Sequence, residues 1–306
     1  AFLDPLPANV DLIHSALALG LVFEGERCVG VEVDRLGERQ TIRCERELVL
    51  SAGAYQSPHL LLLSGIGPAD QLRAAGIEVR LDLPGVGENL MDHAGSFLAL
   101  PAADGYEHAA DAPDWTEVGG FLPSGPGLEA PDLQFHAAIG LNFDEGLGPS
   151  ARTGVSFGPY VGRPDSRGWV RLRTSEPYAK PRIFHNFLAA EADRAKLRSG
   201  LRLALEIARQ SALTERLADT AEAVRLGFVP ADEDDETLDE FIARTAFAFY
   251  HPSGTCAIGS VVDPDLKLRG VENVRVADAS VIPELMTGNT NAPAIMIGER
   301  AALEMR

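Results

Sequence analysis

Cysteine is scarce in this chain: Cys28, Cys44 and Cys256 are the only three, far apart and with no Cys-x-x-Cys pair. That spacing argues against a zinc site and a disulfide framework, so no metal is expected and a reducing, cytoplasmic setting is. Long hydrophobic runs are also missing. The leucine run Leu60 to Leu63 falls far short of the roughly 20 residues that cross a bilayer. Basic charge is in deficit, with 27 Lys and Arg against 45 Asp and Glu and a net charge of −18. With no basic stripe, nucleic acid and anionic membranes are poor partners, and the acidity reads as a solvated surface. Neither a Gly-x-Gly-x-x-Gly turn nor a Gly-Lys-Ser/Thr phosphate loop occurs. The chain opens on Ala1 rather than methionine, so the lack of a signal peptide carries no information.

What is present is ample apolar material, 45% of 306 residues, enough for two domains. The first ninety residues alternate strand and helix signals. Cys28 to Val33 has period two, and Glu47 to Ser51 reads as a short buried strand. Ser57-Pro58 predicts a helix start, proline suiting the first helical position. A second helix is expected from Pro68 to Gly76. Asp92 to Pro131 is rich in Gly, Pro and Ala and reads as loops. Leu133 to His136 and Trp169 to Arg173 alternate as antiparallel strands with one wet face. Two amphipathic helices follow. One carries Leu197, Leu201, Leu205 and Ala208; the other starts at Thr237 with Glu240 completing a capping box, after a solvated acidic loop at Asp232 to Glu236. Val274 to Asp278 returns to strand, and Ala292 or Pro293 opens a last helix to Met305. The pattern is an open α/β unit interrupted by an α+β insertion.

Two segments carry chemistry. His251-Pro-Ser-Gly-Thr-Cys256 follows the aromatic stretch Phe247 to Tyr250, where poor hydration would keep an imidazole neutral and able to take a proton. Read alone, His251 is more simply a core histidine satisfied by a carbonyl, and its pairing with the asparagine turn is what favours the base. Gly288-Asn-Thr-Asn-Ala-Pro293 offers carboxamide donors at Asn289 and Asn291, or residues that only shape a turn and cap a helix. That helix has no acid in its first turn, so its positive end could face an anion. Gly298 would let it pack closely on what lies beneath. Asp278 could hold a sugar hydroxyl or cap the turn at Ser280. Ser51-Ala-Gly-Ala54 could bring Ala52 and Gly53 backbone close to a ligand, or be a tight turn. Ser253 stands too near His251 in sequence for a hydrolytic triad. Glu117, His136 and Trp169 are weaker candidates for cavity walls.

Several strings together resemble the glucose-methanol-choline (GMC) family of FAD-dependent oxidoreductases. They are Gly53-Ala-Tyr-Gln-Ser-Pro-His-Leu-Leu-Leu-Leu-Ser-Gly-Ile-Gly67, Pro84-Gly-Val-Gly-Glu-Asn-Leu-Met-Asp-His93, Ser166-Arg-Gly168, Val276-Ala-Asp-Ala-Ser280 and the His251 and Asn289 segments. The resemblance implies an α/β FAD-binding domain, residues 1–94 and 249–306, around an α+β substrate domain on an antiparallel sheet, residues 95–248. By the same likeness His251 and Asn289 would be the catalytic pair, in the His–Asn form of choline dehydrogenases and oxidases. Ala18, Ala52, Gly53, Asp278, Ala279 and Asn291 would lie against FAD, Ala18 beside the adenine through its backbone. The implied reaction is oxidation of a small-molecule alcohol to aldehyde or ketone, with hydride passing to flavin N5 and an unspecified acceptor reoxidising the flavin. The nucleotide-binding turn of family members is absent. The FAD domain is therefore expected to be incomplete, and the chain to be a C-terminal portion that is inactive alone. A hydroxynitrile-type lyase with structural FAD and a non-catalytic remnant are the rival expectations.

Overall fold

The computed structural model describes residues 3–105, 118–141 and 154–305. Strands β1 (Ala16–Glu24), β2 (Arg27–Arg35) and β3 (Glu38–Arg43) form an antiparallel meander. Strand β4 (Leu48–Leu50) follows, then helix α1 (Gly53–Leu63), β5 (Ile66–Gly67), α2 (Ala69–Ala74) and β6 (Leu81–Asp82). The middle of the chain supplies β7 (Ala94–Gly95), β8 (Leu98–Pro101), β9 (Val118–Leu122), β10 (Leu133–Ile139), β11 (Gly154–Val161), β12 (Trp169–Arg171) and β13 (Arg182–Phe184). Helices α3 (Glu191–Ala208), α4 (Ser211–Thr214), α5 (Thr220–Arg225) and α6 (Asp235–Thr245) come next, then β14 (Phe247–Ala248). Strand β15 (Val274–Val276) and helix α7 (Asn291–Glu304) close the described chain.

Two cores divide this material. The first joins residues from Leu21 to Val86 with residues from Cys256 to Ala301, centred on Leu61, Ile66, Val261 and Val274. Its seam is the parallel pair β4–β15, with Val274 opposite Leu48 and Val276 opposite Leu50. The second spans Leu98 to Ile242. There α3 lays Leu197, Leu201, Ala204 and Leu205 on the sheet β14-β7-β11-β10-β9. Each leucine so buried contributes about 2 kcal/mol. Arg198 joins α3 to α6 through Asp239 at 2.8 and 2.9 Å and also pairs with Glu191.

Local chemistry shifts several expected boundaries. Pro58 sits inside α1, not at its start, because the helix begins five residues earlier at Gly53. Proline leaves the carbonyl of residue i−4 without its donor. Here that carbonyl is Ala54's, and the Thr255 hydroxyl donates to it at 2.6 Å. Helix α6 starts at Asp235, with Asp234 as the cap accepting the Thr237 N–H at 3.0 Å, so the acidic run caps the helix rather than forming a loop. The stretch expected to be loops contains β7, β8 and β9, paired into the sheet despite its glycines. Gly298 faces open space, so close packing is not its role. The spelling Gly154-Val-Ser-Phe-Gly158 matches a hydrolase elbow. Ser156, however, lies mid-strand in β11 and donates to the Gly140 carbonyl, far from any strand-to-helix turn.

Candidate active site

His251 is delivered by an antiparallel track. Strand β14 pairs with β7, Phe247 opposite Gly95 and Ala248 opposite Ala94, so the residues before β7 run beside those after β14. The Phe249 N–H donates to the His93 carbonyl at 2.9 Å, and Met91 and Ser253 exchange backbone bonds at 3.0 and 2.9 Å. Between them the His251 N–H donates to Asp92 Oδ1 at 2.8 Å. Tyr250 pays for this geometry with φ +60°, unusual for a bulky residue, and the residue is 86% exposed. Gly254, at φ +92°, has the Asn89 carbonyl 2.4 Å from where a Cβ would stand. Only glycine fits that turn.

The His251 ring meets a second histidine that is fully buried. His93 Nε2 lies 3.1 Å from the Gly162 carbonyl and 2.9 Å from the Met286 carbonyl, while its Nδ1 lies 2.9 Å from His251 Nδ1. Carbonyls only accept, so His93 Nε2 carries the proton. Burial first, and then the neighbouring His251, push His93 down to about 4, so it is neutral and its Nδ1 is a bare acceptor. His251 Nδ1 therefore carries hydrogen. Burial, with a contribution from His136, also lowers the His251 pKa. The neutral ring then exposes an unprotonated Nε2, for which no hydrogen bond is found among the described residues.

Behind the loop, burial raises Asp92 to about 6. Among the described residues its Oδ2 has no hydrogen-bond partner and stands 3.7 Å from His185 Nδ1, likewise unpartnered there. Both residues line a cavity of about 10 Å³, the size of one water.

Asn289 reaches the same region from the turn before α7. Its Oδ1 accepts from Gln134 Nε2 at 3.2 Å and from the Tyr160 hydroxyl at 3.1 Å. Gln134 and Tyr160 are directly opposed across β10 and β11. The Tyr160 ring lies 5.2 Å from His93, stacked, and 6.5 Å from His251. His251 and Asn289 thus flank one tyrosine.

The remaining expected residues fall as follows. Ala18 is half-buried in β1, packed on the first core beside a bulge. Ala52 is exposed just ahead of α1, and Gly53 has φ +80°. Asp278 accepts from Ser280 N–H at 2.7 Å, Gly53 N–H at 2.9 Å and Ser57 Oγ at 2.5 Å, so its capping reading is realised. Ala279 opens the short turn that follows. Asn291 is exposed at the first position of α7, and neither it nor Asn289 caps that helix, whose cap residue is Thr290. Trp169 packs on Phe184 and under Arg171 and Arg182. Glu117 lies outside the described residues. His93, Gln134 and Tyr160 were not singled out from sequence. The alternation Leu133-Gln-Phe-His136 was the available signal, since it puts Gln134 and His136 on one face.

An imidazole and a carboxamide thus stand on either side of Tyr160, beside a sheet that carries Gln134 and His136 into the same region. The N-terminal model of the GMC oxidoreductase family matches residues 1–95 and its C-terminal model residues 164–298. The chain belongs to the GMC oxidoreductase family. It is 38% identical, over 96% of its length, to an uncharacterized GMC-type oxidoreductase of Mycobacterium tuberculosis, Rv1279, spanning 59% of that protein. It is 37% identical, over 99%, to mitochondrial choline dehydrogenase of Homo sapiens, spanning 55% of it. Pyridoxine 4-oxidase from Mesorbium loti superimposes with a TM-score of 0.79 at 27% identity, over 94% of this chain and 57% of that one. The chain thus spans a little over half the length of the relatives it matches. The match of residues 1–95 to the N-terminal model gives no support to the expectation that the N-terminal portion is lacking. Among the described residues no helix is long and apolar enough to cross a membrane, and no cluster could hold a metal ion.

Proposed function

We propose that the protein oxidises a small-molecule alcohol to the aldehyde or ketone, with His251 and Asn289 as its catalytic pair. The observation that carries this is the proton arrangement at His251: Nδ1–H committed to His93 and Nε2 left bare. That nitrogen takes the hydroxyl proton, and Asn289 holds the oxygen on which negative charge develops. FAD, when bound, supplies the hydride acceptor. The chain offers a fitting surface for it. Helix α7 begins with no side-chain cap and no acid in its first turn, and exposed Ala52 and Ala292 allow close approach. Ala18, Ala52, Gly53, Asp278, Ala279 and Asn291 are the proposed cofactor contacts. The first core, residues 1–94 with 249–306, is read as the FAD domain and the second, residues 95–248, as the substrate domain. The likeness to a choline dehydrogenase makes choline the first alcohol to try.

The test is anaerobic mixing of the flavin-loaded protein with choline and simple primary alcohols, following the oxidised-flavin absorbance. Contrary to the sequence expectation of a chain inactive alone, reduction is expected with the native protein and is expected to slow by about 10²-fold or more in His251→Ala, with FAD still bound. Undiminished reduction by the variant, or none by any alcohol, would sink the reading; the second result is what a lyase would give.

A further inference from the structure

We propose that Gln134 and Tyr160 are positioning residues that fix the Asn289 carboxamide with its amino group, not its oxygen, toward the substrate oxygen. The inference rests on the alcohol-oxidation reading and deepens it.

Hydrogen-bond counting decides the orientation. Gln134 Nε2 has two hydrogens and two neighbours, His136 Nε2 at 2.7 Å and Asn289 Oδ1 at 3.2 Å. Burial lowers the His136 pKa, so that ring is neutral and its Nε2 can accept. Tyr160 is fully buried, and its hydroxyl has the same two neighbours, His136 Nε2 at 3.2 Å and Asn289 Oδ1 at 3.1 Å. The single lone pair on His136 Nε2 is taken by Gln134, so the tyrosine hydrogen goes to Asn289. Both lone pairs of Asn289 Oδ1 are then filled from the sheet side.

The alternative fails the same count. Turning Asn289 over, with Gln134 turned to match, needs a proton on His136 Nε2 to serve the Gln134 oxygen. Tyr160 would then face two donors, and its own hydrogen would be stranded in the interior. The Gln134 amino group would move to where its Oε1 now lies, a position without a partner among the described residues. Buried donors without acceptors are costly, so the observed orientation holds. Its consequence is that both hydrogens of Asn289 Nδ2, unbonded among the described residues, are left for a ligand. An amide donor set in place before reaction is what a developing alkoxide needs.

Gln134→Glu tests this, being isosteric with only acceptors to offer. It should draw Asn289 Nδ2 onto the sheet and turn Oδ1 toward the substrate, lowering kcat by about 10²-fold, as for loss of an oxyanion donor. Gln134→Met and Tyr160→Phe only loosen the amide and should cost about 10-fold each, less than the full donor loss. In an Asn289→Asp background, which has no amide donor, Tyr160→Phe should add nothing. A readout independent of flavin and turnover is the ¹⁵N side-chain spectrum of Asn289. Its amide protons should exchange quickly with solvent in the native protein and become protected in Gln134→Glu. Protected protons in the native protein, or a Gln134→Glu variant with native kcat, would overturn the assignment. Should the spectra behave as expected while no alcohol is oxidised, the orientation stands and the reaction reading falls.

Discussion

His93 Nδ1 stands 2.9 Å from His251 Nδ1, and the far side of the His93 ring is pinned by two carbonyls. A buried neutral histidine held this way accepts at one nitrogen only. It thereby dictates which nitrogen of its neighbour is free, as the partner of a catalytic or metal-bound imidazole commonly does.

Removing that instruction should damage catalysis more than binding. His93→Phe keeps an aromatic ring against Tyr160 but offers His251 no acceptor and leaves the Gly162 and Met286 carbonyls without their donor. We expect kcat to fall about 10-fold or more with KM little changed, part of the 10²–10⁴ that a positioned base supplies. A thermal melt should show a loss of about 1–3 kcal/mol from the stranded carbonyls. Native kcat in a folded variant would remove His93 from the mechanism.

The same ring sets a pH window. Its folded value is depressed to about 4 from the ordinary 6.5, so below 6.5 the unfolded chain takes up a proton that the folded one refuses. Stability is therefore expected to decline as pH falls from 6.5 to about 4, by up to about 3 kcal/mol from this group, and not to change further below that. Chemical denaturation across this range in native and His93→Phe proteins checks the sign. The variant should lose less on acidification. Imidazole ¹⁵N shifts should show His93 protonated at Nε2 and His251 at Nδ1 at neutral pH.

How much of this was legible beforehand follows from the range of each interaction. The turns at His251 and Asn289 announce themselves in six-residue strings, because proline and glycine encode their backbone locally. The partners do not. Gln134 meets Asn289 and Tyr160 only because β10 pairs with β11 in one register, and His93 meets His251 only because β7 pairs with β14. Pro58 was misplaced for a related reason: its tolerance mid-helix depends on Thr255, 201 positions from the Ala54 carbonyl that it serves. The amphipathic faces of α3 and α6 were readable, since period alone sets them, while the start of α6 moved two residues, from Thr237 to Asp235, behind its true cap, Asp234.

Gly95 has little room for change. A Cβ there would lie 2.5 Å from the Phe249 ring, 2.7 Å from Tyr160 Cβ and 3.0 Å from the Pro159 carbonyl. Two of these belong to the walls around His251, so relief would have to come from moving Phe249 or Tyr160. Gly95→Ala should destabilise by about 1–3 kcal/mol. It should also lower activity beyond what the stability loss explains, read as kcat at a temperature where the variant is fully folded.

Asp278 allows the capping and cofactor roles to be separated. Its carboxylate accepts three hydrogen bonds, from Gly53, Ser57 and Ser280, and so ties the start of α1 to the turn after β15 across the first core. Asp278→Ala leaves all three donors without their acceptor and should cost about 3 kcal/mol, more than one lost bond because each donor is desolvated. Asp278→Asn keeps an acceptor oxygen and should cost about half as much. Both losses should appear in melts of flavin-free protein. If the main service of Asp278 were to a sugar hydroxyl of the cofactor, flavin-free stability would be unchanged and only FAD affinity would drop. The distances favour the first outcome, because three of the carboxylate's four accepting positions are already filled from within the chain.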